Sequence, residues 1–202
     1  MNKFIFLTML FIPFVITSCF SPVKTEPQST YVLNTLPLPH VTPSYRKVAL
    51  LVMRPEANSL YRTKQMAYTL MPYQIAYYAH NSWAERPSDM LQPLIVKTLQ
   101  NTRHFYVVLT PASMGHYDYV LNTEIEEFLQ NYTDYTHYPG VFYLTVRAQI
   151  TNMATNKIIA TQEFSVSEPI YQETPYAGVA AANTATKKLL RALADFCVRN
   201  VG

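Results

Sequence analysis

Glycine is scarce: the 202 residues contain 4. That excludes a Gly-rich phosphate loop and leaves tight turns to Asn, Asp and Pro. Charge of one sign is also lacking. The formal net charge of +3 is small and spread along the chain, so no nucleic-acid footprint appears and no nucleic-acid partner is expected. His40, His80, His104, His116 and His137 form no HxxxH pair and none neighbours a cysteine, so no metal site is expected. No G-x-S-x-G elbow occurs. His116-Tyr117-Asp118 lies at a strand entry, where adjacent side chains point to opposite faces. No catalytic residues, cofactor or enzymatic activity are therefore expected. There is no repeat of fixed period and no low-complexity tract.

A long apolar run is missing as well. Phe4 to Ile16 (FIFLTMLFIPFVI) is uncharged but short of the roughly 20 residues a membrane span needs. Behind the single positive charge of Lys3 it reads as the apolar region of a signal peptide. Ile16-Thr17-Ser18-Cys19 follows and resembles the bacterial lipobox. The resemblance implies cleavage before Cys19 and acylation of that cysteine, which becomes the first residue of the mature chain. Residues 1–18 are then a lipoprotein signal peptide. Residues 19–30, polar and carrying Pro22 and Pro27, are a lipidated N-terminus and tether. Phe20 stands where an aspartate favours inner-membrane retention, which leans toward the outer membrane, periplasmic face. With Cys19 acylated, Cys197 has no internal partner, so it packs as a small buried hydrophobe.

What the chain does have is aromatic residues: 16 Tyr and 10 Phe, rings that suit strands and half-wet surfaces. Residues 31–202 read as one domain. Strands are expected at 31–33, 47–53, 66–70, 74–79, 105–109, 117–129, 141–151 and 157–166. Along 117–129 strict alternation puts Tyr119, Leu121, Thr123, Ile125 and Glu127 on one face and Val120, Asn122, Glu124, Glu126 and Phe128 on the other. Residues 81–86 read as a turn into a helix capped by Ser88, with Asp89 in its first turn. Residues 131–140 read as a polar, aromatic hairpin loop. Residues 176–198 form a long closing helix whose apolar stripe is Val179, Ala182, Thr186, Leu189, Leu190, Leu193 and Phe196 or Cys197. The fold class is α+β: a largely antiparallel sheet with helices packed on one face, including the long C-terminal helix.

The order of these segments resembles the ABC-type transport auxiliary lipoprotein family (PqiC/YmbA-like, DUF330). The resemblance rests on the lipobox at Cys19, YVL at 31–33, VALLVMRPEANSLYRTKQMAY at 48–68, NSWAERPSDMLQPLIVKTLQ at 81–100, DYVLNTEIEEFLQ at 118–130 and the strand pair and helix from Val141 onward. It implies a periplasm-facing lipoprotein that assists an MCE-type lipid transport system between inner and outer membrane and contributes to envelope integrity. Implied partners are an MCE-domain protein, the permease and ATPase of the transporter, the membrane through the acyl chains, and further copies of the chain as a homo-oligomer.

Two kinds of surface site stand out. Trp83, the only tryptophan, is either a contact for a partner or lipid, or a plug that seats the following helix on the sheet. Tyr132, Tyr135, Tyr138, Phe142 and Tyr143 lie on and after a loop, and are either partner-binding or lipid-binding groups, which concentrate on loops, or an ordinary hairpin tip. An alternative function follows from the same rings: a periplasmic small-molecule or glycan binding module that uses the tyrosine-rich surface for stacking.

Overall fold

The computed structural model describes residues 27–38, 45–113, 115–133 and 137–201. The expected signal peptide, Cys19 and most of the tether lie outside the described residues, as does Tyr135. The elements are β1 (Ser29–Tyr31), β2 (Arg46–Val52), β3 (Glu56–Ala57), a single 3-10 turn (Ser59–Tyr61), β4 (Gln65–Thr69), β5 (Ala76–Trp83), α1 (Pro87–Asn101), β6 (Phe105–Leu109), β7 (Tyr119–Asn131), β8 (Gly140–Asn152), β9 (Lys157–Ile170) and α2 (Pro175–Asn200).

Strand β7 is the centre. One edge pairs antiparallel with β8 from Tyr119↔Asn152 to Asn131↔Val141, and β8 pairs antiparallel with β9. The other edge is covered in three pieces. β2 pairs at Leu50↔Tyr119 through Val52↔Leu121, β3 at Ala57↔Ile125, and β4 at Tyr68↔Gln130 and Thr69↔Asn131, all parallel. The chain from 50 to 69 therefore follows β7 as one broken strand. β6 adds in parallel to β2, β5 adds antiparallel to β4, and β1 adds in parallel to β5. The α+β class holds. The antiparallel expectation holds for the long β7–β8–β9 meander and for β4–β5, whereas the remaining pairings are parallel, so the sheet is mixed.

Both helices cover one face. The expected stripe of α2 is buried residue for residue, and Ala181, Ala185 and Ala194 widen it. Under it lies the inward row of β8, Phe142, Leu144, Val146, Ala148 and Ile150, each no more than 1% exposed. Each fully buried side chain of this size contributes about 1.5–3 kcal/mol. Thr174 caps α2 by accepting from the Ala177 N–H at 3.2 Å, and Pro175 stands at the first helical position, where its missing N–H costs nothing. Past the C-terminus of α2, the Val201 carbonyl meets His104 Nε2 at 2.8 Å, tying the chain end to the start of β6.

Several local expectations are corrected. Alternation along β7 breaks at a bulge between Ile125 and Glu127, so Phe128 joins the buried face and Glu127 leaves it. β5 runs on through Trp83, because Asn81, Ser82 and Trp83 pair with β1. Arg86, not Ser88, is the N-cap of α1, since Pro87 takes the first helical position. Asp89 does sit in the first turn, where it pairs with Arg86 at 2.9 Å. Asn156 takes a left-handed position in the β8–β9 connection, and so do Tyr73 and Arg103, with φ of 67° and 55°.

Two of the rare glycines guard one spot. Gln130, 1% exposed, accepts from the Tyr132 hydroxyl at 3.0 Å and the Tyr78 hydroxyl at 3.1 Å. Burial pushes both phenols up, so both remain donors. A Cβ on Gly178 would lie 2.0 Å from Gln130 Oε1, and a Cβ on Gly140 would lie 2.5 Å from the Tyr132 ring. The first turn of α2 thus rests directly on Gln130. Gly178→Ala is expected to cost about 1–3 kcal/mol, as overpacking does. Urea unfolding checks it, and most of the loss should disappear in a Gln130→Ala background, where the space is free.

Candidate functional site

The aromatic residues singled out in the sequence do not share one surface. Trp83 is 2% exposed and meets Phe128 edge-on at 5.2 Å; Phe128 meets Phe142 the same way at 5.0 Å. This chain of rings seats β5 against β7 and β8 under the helices. Tyr132 is buried on Gln130. Tyr143 follows Phe142 on β8 and therefore lies on the opposite face of the sheet. Of the named rings, Tyr138 is 43% exposed and packs edge-on with Tyr171 at 5.4 Å. Tyr171 and Tyr176, both strongly exposed, escaped the sequence reading, as did Leu70, Met71, Tyr73 and Ile75 between β4 and β5. The signal that marks the last group is charge: no Asp, Glu, Lys or Arg occurs from Gln65 to Ala84.

The face of the sheet away from the helices is polar and ion-paired. Cross-strand neighbours Asn122 and Gln149, and Glu124 and Arg147, stand there with Met53, Arg54 and Glu56 around a cavity of about 460 Å³. Arg147 pairs with Glu124 and, at 3.2 Å, with Glu126. The bond to Glu124 and the charge of Glu126 push the guanidinium further up from its usual value. A second cavity of about 460 Å³ adjoins through Arg54 and Glu56 and reaches Arg62, Arg86 and Ser88 at the start of α1. Asp89 bridges Arg54 at 2.5 Å and Arg86 at 2.9 Å. These exposed pairs are worth little individually and are screened by salt. Among the lining residues, no nucleophile is held against a base. The arrangement offers hydrogen-bond donors and acceptors to a polar partner.

The comparisons with known proteins settle what kind of chain carries this fold. The family model described as ABC-type transport auxiliary lipoprotein component matches residues 31–194. The chain belongs to that family. It is an auxiliary lipoprotein of ABC-type transport, and the family is one of membrane-anchored envelope proteins. Among solved structures, protein XCC0632 from Xanthomonas campestris, assigned to DUF330, superimposes with a TM-score of 0.75 at 19% identity, covering 85% of this chain and 96% of that one. The hypothetical protein CT253 from Chlamydia trachomatis gives a TM-score of 0.52 at 10% identity over 77% of this chain and 98% of that one. At these identities the likeness is one of fold. No curated protein matches. Cys19 lies outside the described residues, and Cys197 is a buried free cysteine on α2, its thiol pushed up by burial.

Glu127, put on the outer face by the bulge, carries the one carboxyl among the described residues whose pKa is clearly raised, by burial, against a smaller opposing hydrogen bond from Thr145. A raised carboxylate pKa means the folded state holds its proton longer. Stability from this group falls as pH rises from the unfolded value of 4.5 through the folded one. Glu127→Gln should therefore stabilise the protein at neutral pH. The gain should shrink toward zero below pH 4.5, which paired thermal melts across that window would show.

Proposed function

We propose that this lipoprotein is the anchored auxiliary component of an MCE-type lipid transport system, standing on the periplasmic face of the outer membrane and contributing to envelope integrity. The supporting observation is the family match from residue 31 to 194 on a fold whose open face is ion-paired and holds no reacting centre. The role asks for position, not chemistry. Acyl chains on Cys19 contribute roughly 0.8 kcal/mol per buried methylene, and several chains make the attachment effectively permanent. The polar groove around Arg54, Glu124 and Arg147 then faces partner proteins, an MCE-domain protein above all and, through it, the permease and ATPase. The alternative of a tyrosine stacking platform for glycans loses support, since Tyr132 is buried and Tyr143 and Phe142 point to opposite faces.

The Cys19→Ala variant is expected to leave the membrane fraction and to fail to complement a deletion in an envelope-integrity assay. Mass spectrometry of the native N-terminus should find the acyl mass on Cys19. A variant that keeps both its location and its function would overturn the anchored role. Crosslinking in intact membranes should recover an MCE-domain protein, and Arg147→Glu should weaken that recovery several-fold while leaving the melting temperature within a few degrees.

A further inference from the structure

Four strand ends line up in one row: Thr69 of β4, Asn131 of β7, Val141 of β8 and Pro169 of β9. The connection between β4 and β5 projects from that end of the sheet. It reads Leu70-Met71-Pro72-Tyr73-Gln74-Ile75, and Leu70 is 52%, Met71 57% and Tyr73 fully exposed. It is a tight turn, closed by the Gln74 N–H on the Met71 carbonyl at 3.3 Å. Pro72 at the second position and left-handed Tyr73 at the third make the type II arrangement, in which glycine is the favoured third residue. A tyrosine there holds a backbone conformation that costs about 1–2 kcal/mol over a right-handed one. It is kept with its ring in solvent and no buried contact to offset the strain. Tyr138 and Tyr171, both exposed, belong to the other connections at the same end, and exposed Tyr176 stands in the first turn of α2.

Two observations identify what this end meets. The β4–β5 turn carries apolar and tyrosine side chains, with no Asp, Glu, Lys or Arg between Gln65 and Ala84, the composition of the boundary between lipid headgroups and acyl chains; Glu173 of the β9–α2 connection is a charge at the same end. The chain also approaches β1 from this direction. β1 runs parallel to β5 and Ser29 pairs with Asn81, five positions beyond Ala76 (81 − 76), so the residues just before Ser29 lead back toward the turn. Eight residue steps separate Cys19 from Pro27, a reach of at most about 30 Å. That leash is long enough to bring the row of strand ends to the bilayer.

We infer that the β4–β5 turn is a second membrane contact: Leu70, Met71 and Tyr73 seat in the bilayer interface beneath the acyl anchor, with the neighbouring tyrosines at headgroup level, and orient the domain so that its opposite end faces the periplasm. The inference rests on the anchor at Cys19. Its geometry is its own.

The test uses the full-length lipidated protein in vesicles of phosphatidylethanolamine and phosphatidylglycerol, with or without a lipid bearing a quencher in its acyl chain. A polarity-sensitive fluorophore is placed on Tyr73→Cys or, at the opposite end of the sheet, on Ile158→Cys, an exposed position. The buried thiol of Cys197 does not compete. Emission at position 73 should shift to the blue and be quenched several-fold more than at position 158. Flotation with equal quenching at the two positions overturns the inference alone, as does crosslinking of position 73 to a second copy in place of lipid contact. Failure to float, with no acyl mass on Cys19, overturns the anchor and the inference together. In Tyr73→Gly, read from a label on Met71→Cys, quenching should fall while Tm holds or rises, because glycine suits the turn. A lower Tm with quenching retained would make Tyr73 a folding residue and refute its membrane role.

Discussion

Everything in this fold is hung on the hydrogen-bonding edges of β7. One edge is occupied along its length by β8, the other by three successive stretches of the segment between Leu50 and Thr69. Pairing on both edges at residues 119–121, 124–125 and 130–131 satisfies the backbone of β7 there and lowers the penalty for unpaired amides in a buried strand. The two branches of the sheet, β2 with β6 and β4 with β5 and β1, have no pairing with one another and are held in common only by β7. The bulge between Ile125 and Glu127 is what lets one strand serve both: it keeps Leu121 and Ile125 inward on one side of the break and Phe128 inward on the other.

The helices fix this framework at two kinds of contact. Most of α2 packs by size, small alanines and leucines over the inward row of β8. Its first turn is different, because Gly178 lies on a buried amide that two phenols hold. A hydrogen-bonded group in that place tolerates little displacement, whereas aliphatic packing tolerates some repacking. The start of α2 is thus fixed more sharply than its middle. The surface divides accordingly: an ion-paired groove on the uncovered side of the sheet, and a tyrosine-rimmed end where β4, β7 and β9 stop, with Glu173 in the β9–α2 connection.

Much of this was legible from residues alone, for identifiable reasons. The stripe of α2 could be read because 3.6-residue periodicity is a local property, and β8 and β9 because their connection, Asn152 to Asn156, is a turn that Asn makes well. The three-part parallel pairing of residues 50–69 with β7 could not be read, since it depends on register between distant segments that leave no periodic trace. The bulge defeated the reading of Glu127 and Phe128 because alternation has no means of announcing one extra residue. The ring cluster suffered from the same limit. Tyr132, Phe142 and Tyr143 are close in sequence, yet a strand sends neighbours to opposite faces and the Gln130 contact draws one ring inside. The turn at Tyr73 was hidden between two strand patterns, where Met71-Pro72 looked like a simple break.

The broken strand along β7 has a consequence for how the chain comes to be folded. A polypeptide delivered N-terminus first presents the Val48–Val52 stretch long before Tyr119, its parallel partner, has emerged. Contacts of that separation close slowly, and the apolar segment waits unpaired in the meantime. In that interval the edge that β7 later covers stands open, and crowding exposes the chain to association with other copies through it.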